Sequence, residues 1–315
     1  MAGAGDALDI VLGAHGQTAA LKDGSVAVDG VALNFVSVKP MTDAYRRMAR
    51  TAEFDICELA PTTYLAARAK GAPITALPIP MTRRFRHAGL MLPENSTIRE
   101  PKDLEGKKVG VRAYTVTAGV WTRGVFQNEF GLDIGKVTWV VDDEEHVLGM
   151  DLPGNVVQAP AGRSLAQMMV DGELDAGFAG IAGIGTAPEG RAYHDLFENP
   201  KPLEADWFKR TGIYPIHGVI AVRNDVLAAR PDLPRRLFEA FSAAKAIYLE
   251  GVVSGAADGD EDKRYRNLAK LVGDPLPYGM EPNCPSLEAL VLYAQQQGFL
   301  PKSLSVSDLF LDPQK

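Results

Sequence analysis

The amino-acid sequence predicts an α/β protein with two lobes, and three observations lead to that prediction. Segments with strand-like apolar runs alternate with segments of helical periodicity along most of the chain. At 315 residues the chain is long for one domain and sufficient for two. The stretches 48–56 and 168–176 also carry Met, Glu and Asp at matching offsets. This repeat indicates two lobes built on one scheme, with chance identity at common turn residues as the alternative.

In the first part of the chain, apolar patterns and the residues that bound them indicate the elements. Asp29-Gly30 lies between alternating apolar residues and predicts a hairpin. Pro61 fits the first turn of a helix, which Gly71 and Pro73 then end. The predicted elements are strands over 8–12, 53–59 and 74–79, a hairpin over 24–35, and helices over 42–52 and 61–70.

The remainder of the chain continues the alternation. Gly131 ends one amphipathic helix, and Asp232 is a suitable cap for a long one. The stretch 258–266 is highly charged and is predicted to be exposed. The predicted elements are strands over 108–111, 137–141, 173–178 and 219–222, and helices over 117–130, 165–170, 204–210, 232–249 and 286–297.

Two segments are predicted to cross between the lobes. Each begins with a histidine, His87 or His217, and enters an apolar strand. We therefore expect lobe 1 to comprise residues 1–92 and 217–315, and lobe 2 to comprise residues 93–216. A ligand cleft is expected between the lobes, because ligands in α/β folds bind beyond the carboxyl ends of the strands.

Composition excludes several classes of function. The net charge of −7 argues against a nucleic-acid partner, and no apolar run reaches the length of a membrane span. Residues 1–16 lack the features of a secretory signal, so a cytoplasmic location is predicted unless a leader has been removed. Two cysteines are too few for a zinc framework, and Cys57 fits a buried thiol better than a nucleophile.

A basic cluster at 83–87 stands out in this acidic chain. It indicates either an anion site or a solvated surface turn. Arginine side chains match carboxylates in a bidentate way, so an aromatic acid is a suitable ligand. Residues at the predicted strand ends that could line its pocket are Arg84, Arg86, Arg112, Arg123, His15, His87, His217, Glu58, Tyr64, Tyr114 and Thr115.

His87 is the first candidate for a proton-transfer group in this set. If His87 and the neighbouring Arg86 are both buried, the pKa of His87 should be lowered, and a neutral imidazole could relay a proton. The alternative is a structural histidine at a hinge.

No cofactor is predicted. The glycine-rich stretch 177–185 lacks the phosphate-loop lysine and the dinucleotide spacing. A divalent metal on His87, His217 and either Glu58 or Glu281 is conceivable, but no ligand spacing supports it.

Several longer motifs carry a family resemblance. They are FDICELAPTTYLA (54–66), RRFRHAGLML (83–92), IREPKDLEGKKVGV (98–111), TAGVWTRG (117–124), RTGIYPIHGVIAVRNDV (210–226) and YGMEPN (278–283). In combination they resemble the 4,5-dihydroxyphthalate decarboxylase family, which is similar to type II periplasmic solute-binding proteins. The resemblance implies the two-lobed binding-protein fold, with two crossover strands and an interlobe cleft.

The resemblance also implies an activity in aromatic compound degradation, the non-oxidative removal of one carboxylate from a hydroxylated aromatic acid. In the implied mechanism the ring carbon is protonated and CO2 is lost. His87 is then the candidate acid, Arg84 or Arg86 holds the retained carboxylate, and Glu58 orients a hydroxyl or the histidine. The shared motifs place nine residues in the site: Glu58, Arg84, Arg86, His87, Trp121, Arg123, Tyr214, Glu281 and Asn283.

The chain departs from the family pattern in three loops. It has Ala14-His15-Gly16-Gln17 where the family has an aromatic–Asp–Arg element, Gly218 where the family has a histidine, and an apolar loop after Asp175. These changes indicate a less charged acid as substrate, or binding without turnover. The alternatives are therefore a non-catalytic solute-binding protein and, less favoured, a heterocycle synthase. The expected partner is a small aromatic carboxylate, with a homo-oligomer possible.

Overall fold

The computed structural model describes residues 7–315, which form two compact units. Within the described residues, the first unit comprises 7–83, 216–288 and 304–315. The second unit comprises 84–215 and 289–303. No helix in the described part of the chain is both long and apolar enough to cross a membrane.

The strands of the structure are short, and all carry apolar residues. In chain order they are β1 (Leu8–Val11), β2 (Leu33–Phe35), β3 (Ile56–Leu59), β4 (Ile74–Leu77), β5 (Leu90–Pro93), β6 (Lys108–Gly110), β7 (Thr138–Val141), β8 (Val156–Gln158), β9 (Ala176–Phe178), β10 (Tyr193–Asp195) and β11 (Val219–Arg223).

The α-helices lie between these strands and at the end of the chain. They are α1 (Ala19–Lys22), α2 (Met41–Thr51), α3 (Pro61–Ala69), α4 (Thr117–Phe130), α5 (Leu165–Val170), α6 (Lys201–Thr211), α7 (Asn224–Ala229), α8 (Leu233–Ser254), α9 (Asp260–Val272), α10 (Cys284–Gln296) and α11 (Val306–Leu309). Short 3-10 helices occupy Gly16–Thr18, Pro101–Leu104, Ile134–Lys136 and Glu281–Asn283.

The first unit contains a five-stranded sheet in the order β2-β1-β3-β11-β4. Strand β1 runs parallel to β2 and β3, whereas β11 runs antiparallel to β3 and β4. Ile56 is opposite Ile10 on one side and Val222 on the other, and all three are fully buried. Helix α8 covers this core with Leu237 and Phe241. The parallel strands place the loops after β1 and β3 side by side.

The second unit contains a six-stranded sheet in the order β10-β5-β9-β6-β7-β8. Strands β6, β7, β8 and β9 are mutually parallel where they pair, and β5 is antiparallel to both β9 and β10. The loops after β6, β7 and β9 therefore meet at one edge of this sheet. Helix α4 follows β6 at that edge.

The boundary of the lobes differs from the sequence prediction. Residues 84–92 were assigned to lobe 1, but β5 pairs with β9 and β10 in the second sheet. The chain instead passes between units at 83/84 and 215/216, where Arg83 and Ile216 form an antiparallel bridge. The second unit also takes residues 289–303, which the prediction placed in lobe 1. No sequence pattern marks the unit boundary within helix α10, because the helical pattern there is continuous.

One further prediction needs correction, and some elements were not predicted. The Asp29-Gly30 turn does form an antiparallel bridge, between Val28 and Val31, but the chain then leaves the turn as β2, parallel to β1. Strands β8 and β10 were not predicted, because neither contains a buried residue that would mark it as a core strand. The charged stretch 258–266 is exposed or half-buried except for Tyr265, as predicted, but most of it lies in helix α9, which was not predicted.

Candidate functional site

The carboxyl ends of β1 and β3 bring together Glu58, Gly13 and His15. Glu58 lies within the buried strand β3 and is only 3% exposed. Its Oε2 accepts the backbone N–H of Gly13 at 2.8 Å. Nε2 of His15 lies 2.8 Å from the same oxygen, where the ring N–H donates to the carboxylate. The buried carboxylate is thus held by two donors from the loop that follows β1.

Two glycines allow the backbone to approach this carboxylate closely. A Cβ on Gly13 would lie 2.8 Å from Nε2 of His15 and 3.0 Å from Oε2 of Glu58. A Cβ on Gly218 would lie 3.1 Å from Oε1 of Glu58 and 2.9 Å from Cβ of Met81. Both distances to carboxylate oxygens are shorter than ordinary van der Waals contact, so a larger residue would displace the Glu58–His15 pair.

Tyr45 and Lys22 complete the electrostatics around Glu58. Burial, and then the Glu58 carboxylate, raise the pKa of the Tyr45 hydroxyl well above its usual value. Partial burial lowers the pKa of Lys22, while Glu58 opposes that shift. Nζ of Lys22 donates to the carbonyl oxygen of Gly13 at 2.5 Å and to that of Leu12 at 3.3 Å. Lys22 therefore holds the backbone around Gly13, whose N–H donates to Glu58.

His15 is the accessible member of the pair, since its side chain is 19% exposed. Glu58 fixes the ring by binding Nε2, so the other ring nitrogen is the one available to a ligand. A carboxylate that orients a histidine in this way is a common arrangement for general acid–base catalysis. The arrangement can therefore hold a proton at a defined position.

His87 lies in the second unit in a different environment. It is 1% exposed, and its ring packs edge-on against Trp207 at 5.2 Å and Phe130 at 6.3 Å. Nδ1 has no hydrogen-bond partner among residues 7–315. Burial lowers the pKa of His87 to about 4, with Arg210 adding to the shift and Glu129 opposing it. The direction agrees with the sequence prediction, but the cation is Arg210 rather than Arg86.

Arg112 and Thr115, predicted to bind substrate, are engaged by acids of their own unit. Nη1 of Arg112 donates to Oδ2 of Asp143 at 2.7 Å. The backbone N–H and the hydroxyl of Thr115 both donate to Glu145. Sequence reasoning missed both acids, because they follow β7 and lie about 30 positions away in the chain.

Other predicted residues are buried inside one unit. The Tyr64 hydroxyl donates to the carbonyl oxygen of Leu309, and Trp121 packs edge-on against Tyr293 with ring centroids 5.6 Å apart. Asn283 accepts from Arg83, while its amide donates to two backbone carbonyl oxygens at 2.8 Å. These contacts support the fold, and a ligand-binding role for these three side chains stays a prediction.

Arg123 is fully buried in the second unit. Its Nε donates to Gln297 at 2.8 Å, and Nη2 donates to the carbonyl oxygen of Tyr114. The guanidinium lies 4.1 Å from the centroid of the Tyr114 ring. Burial lowers the pKa of Arg123 to about 10, and Tyr114 and Glu145 oppose the shift.

The remaining predicted residues differ in exposure. Arg84 and Glu281 are exposed, whereas Arg86 and His217 are partly buried. Tyr214 is buried, and its ring lies 5.2 Å from that of Phe85. The structure does not test whether these five residues bind substrate.

A pair of acids near Arg86 was missed by the sequence analysis. Burial, and then the neighbouring Asp195, raise the pKa of Glu204 to about 7, while Lys201 and Arg86 oppose the shift. Burial also raises the pKa of Asp195, whose Oδ2 accepts the Gly89 N–H at 2.6 Å. The two acids are nine positions apart on different elements, so no sequence motif joins them.

A metal site has no support in the described residues. Within 7–315, no group of three or more His, Cys, Asp or Glu side chains is arranged to hold a metal ion. The four candidate metal ligands considered from the sequence form no such group there. The prediction that no cofactor is needed stays a prediction.

Solved structures share the fold at low sequence identity. The periplasmic aliphatic sulphonate binding protein SsuA from Escherichia coli matches with a TM-score of 0.57 and 14% identity, over 98% of this chain and 93% of that chain. The desulfurization enzyme DSZB matches with a TM-score of 0.55 and 14% identity, over 98% of this chain and 97% of that chain. The fold is therefore the two-lobed α/β fold of periplasmic binding proteins, as the sequence predicted.

Sequence comparison identifies the family. The NMT1/THI5-like family model matches residues 19–146. A 4,5-dihydroxyphthalate decarboxylase from Comamonas testosteroni is 31% identical over 317 residues, covering 96% of both chains. A second protein of that name, from Pseudomonas putida, is 32% identical over 210 residues, covering 64% of this chain and 81% of that protein. Because the similarity to the Comamonas protein spans nearly the whole length of both, this chain belongs to the 4,5-dihydroxyphthalate decarboxylase family.

Proposed function

We propose that this protein is a carboxy-lyase that removes one carboxylate, without oxidation, from a hydroxylated aromatic acid. The observation that carries the proposal is the pair formed by His15 and Glu58 at the carboxyl ends of β1 and β3. The names of the two relatives support the reaction class, and the similarity to one of them over 96% of both chains supports a shared overall activity.

The proposed acid is His15 rather than His87. Protonating a ring carbon requires a donor that reaches the substrate and carries a proton at working pH. His87 is 1% exposed and its pKa is lowered to about 4, so it is a poor donor near neutrality. His15 is partly exposed and is oriented by a carboxylate. This choice revises the role that the resemblance implied for Glu58, which here orients His15.

The proposed step is protonation of the ring carbon that bears the carboxylate. A ring hydroxyl donates electron density into the ring, and the carbon that bears the carboxylate takes a proton from His15. The bond from that carbon to the carboxylate then breaks, CO2 leaves, and the bonding electron pair restores the aromatic ring. Glu58 keeps its hydrogen bond to Nε2 throughout, so the imidazole stays in place as its charge changes.

Binding of a retained carboxylate by Arg84 or Arg86 stays a prediction. Both are near the start of β5, Arg84 exposed and Arg86 partly buried. Arginine favours planar two-point contact with a carboxylate. The cytoplasmic location, the absence of a resident cofactor and the possible homo-oligomer stay predictions.

A solute-binding role is the second candidate, because the fold is that of sulphonate binding proteins such as SsuA. The two functions differ in the fate of the ligand. A binding protein returns its ligand unchanged, whereas the proposed enzyme converts it to CO2 and a product with one carboxylate fewer.

A ligand screen followed by a CO2 assay separates these functions. Aromatic mono- and dicarboxylates, with and without ring hydroxyls, are tested for thermal stabilisation, because a ligand of the folded state raises the melting temperature. Each stabilising acid is then assayed for CO2 release. The proposal predicts CO2 release from at least one hydroxylated acid, dependent on His15. Stabilisation by acids that all survive unchanged would support the binding protein instead.

A further inference from the structure

Strand β7 is followed by four consecutive acids, Asp142 to Glu145, at the edge of the second sheet where ligands of α/β proteins bind. Oδ2 of Asp142 accepts the N–H of Leu165, the first residue of α5, at 3.0 Å. Asp143 forms an ion pair with Arg112 at 2.7 Å. The Leu165 N–H and the Arg112 guanidinium, which could each bind an anion, are therefore already bound to acids of this run.

The side chain of Glu145 reaches the turn between β6 and α4. Its Oε1 accepts the backbone N–H of Tyr114 at 2.5 Å and that of Thr115 at 3.3 Å. Its Oε2 accepts the Thr115 N–H at 3.2 Å and also the Thr115 hydroxyl. Two backbone donors and a hydroxyl converge on one carboxylate, which is how such turns bind a carboxylate ligand.

A buried cation lies beneath the same turn. Arg123 is 0% exposed and donates through Nη2 to the carbonyl oxygen of Tyr114. Its Nη1 has no hydrogen-bond partner within residues 7–315. This cation and the converging donors make the turn favourable for a negative charge, and the Glu145 carboxylate supplies that charge from the protein itself.

We propose that Glu145 fills the carboxylate site of the second unit and thereby selects a substrate with a single carboxylate. An acid with a second carboxylate would have to displace Glu145 and then lie beside it and Asp143. The substrate class is therefore a hydroxylated aromatic monocarboxylate. This inference rests on the proposed function, because it assumes that an aromatic acid is the ligand.

Benzoate and phthalate test the inference by binding alone. They differ by one carboxylate, and neither has a ring hydroxyl to promote decarboxylation. The inference predicts that the wild-type protein binds benzoate at least about tenfold more tightly than phthalate, a difference of about 1.4 kcal/mol. Isothermal titration calorimetry measures both affinities.

Three variants complete the experiment. Glu145→Ala empties the turn and should reduce the preference for benzoate to less than about threefold. Glu145→Gln keeps the side-chain shape, so it tests the effect of charge if the alanine variant folds poorly, and it should move the ratio in the same direction. Glu144→Gln is the matched control, because it removes one charge from the same run without opening the turn, and it should leave the ratio unchanged.

The outcomes separate the inference from the proposed function. Equal binding of both acids by the wild type, or an unchanged ratio in both Glu145 variants, would overturn the inference. CO2 release is measured independently, with 3,4-dihydroxybenzoate and 4,5-dihydroxyphthalate. A shifted binding ratio without CO2 release from any hydroxylated acid would support the selective site and contradict the decarboxylase. Failure of every aromatic acid to bind would contradict both.

Discussion

Two carboxylates, Glu58 and Glu145, are held in similar ways at the edges of the two sheets where parallel strands end. Glu58 accepts one backbone N–H and Glu145 accepts two, in each case from the loop after a neighbouring parallel strand. They differ in the side-chain donor, because the ring of His15 donates to Glu58 whereas the hydroxyl of Thr115 donates to Glu145. A carboxylate bound to a histidine can support proton transfer, whereas one that accepts from amides and a hydroxyl acts as a fixed charge.

Glu58 and His15 are thus assigned to proton transfer, and Glu145 is assigned to the selection of substrates by their number of carboxylates. The same type of side chain serves both purposes because its partners differ. Of the four predictions below, the first two test the Glu58 edge and the last two test buried titratable groups of the second unit, in order of decreasing expected effect.

Changing Glu58 to Gln should reduce kcat by about 10²-fold, because the His15 ring would lose the carboxylate that orients it. The substitution keeps the shape of the side chain, so circular dichroism should show an intact fold. Glu53→Gln is a suitable control, since Glu53 forms an exposed pair with Arg47 in the same unit. Equal activity of the Glu58 and Glu53 variants in the CO2 assay would contradict the assignment of Glu58 to proton transfer.

Changing Gly13 to Ala should reduce kcat by about tenfold and destabilise the protein by about 1–3 kcal/mol. The new methyl group would lie 2.8 Å from Nε2 of His15 and 3.0 Å from Oε2 of Glu58, forcing the pair apart. Gly154→Ala is the matched control, because no atom lies within 4 Å of its added methyl group. Urea unfolding and CO2 release measure the two effects, and a Gly13 variant as active and stable as the control would refute the close packing.

His87→Phe should make stability less sensitive to acid. The pKa of His87 is about 4 in the folded protein and about 6.5 when unfolded, so the unfolded chain binds the additional proton between those values. Stability from this group is therefore complete above pH 6.5 and falls by about 3 kcal/mol as the pH drops to 4.

Urea unfolding of wild type and His87→Phe at pH 7 and pH 4.5 measures that difference. The variant should lose less stability on acidification than the wild type. The exposed His194 provides a control as His194→Gln, which should follow the wild type. Parallel pH profiles for all three proteins would show that His87 is not buried as described.

Glu204→Gln should produce the smallest effect, a modest increase in melting temperature at pH 8. The pKa of Glu204 is raised to about 7, so the folded state binds an additional proton between pH 4.5 and 7 and loses stability as the pH rises through that range. The variant should gain little at pH 4.5. Thermal unfolding at both pH values tests this, and a gain at pH 4.5 equal to that at pH 8 would contradict the assigned cause.

The sequence predicted the fold class because the apolar periodicity of buried elements is a local signal. Helix α2 begins within one residue of the predicted start, since its helical pattern is strong. The boundary between units was misplaced because β5 looks the same whichever sheet it joins. Helix α9 was missed as a helix, because a charged segment shows little of the apolar pattern on which the prediction depended.

The site was predicted in part for a similar reason. The family resemblance identified Glu58, and His15 was a candidate because it follows a predicted strand. No sequence pattern paired the two residues, which are 43 positions apart. Thr115 was predicted as a ligand contact from its place before α4, and the sequence did not indicate that Glu145 would bind it. Partners set by tertiary packing are not encoded in local spacing.

The most direct test of the account is to compare kcat for His15→Gln and His87→Phe on a hydroxylated acid that the wild type decarboxylates. The account predicts that His15→Gln loses about 10²- to 10⁴-fold in kcat, the usual contribution of a positioned acid, while His87→Phe keeps a rate near that of the wild type at pH 7. Full turnover by the His15 variant, with loss of turnover in the His87 variant, would contradict the account and return the proton to His87.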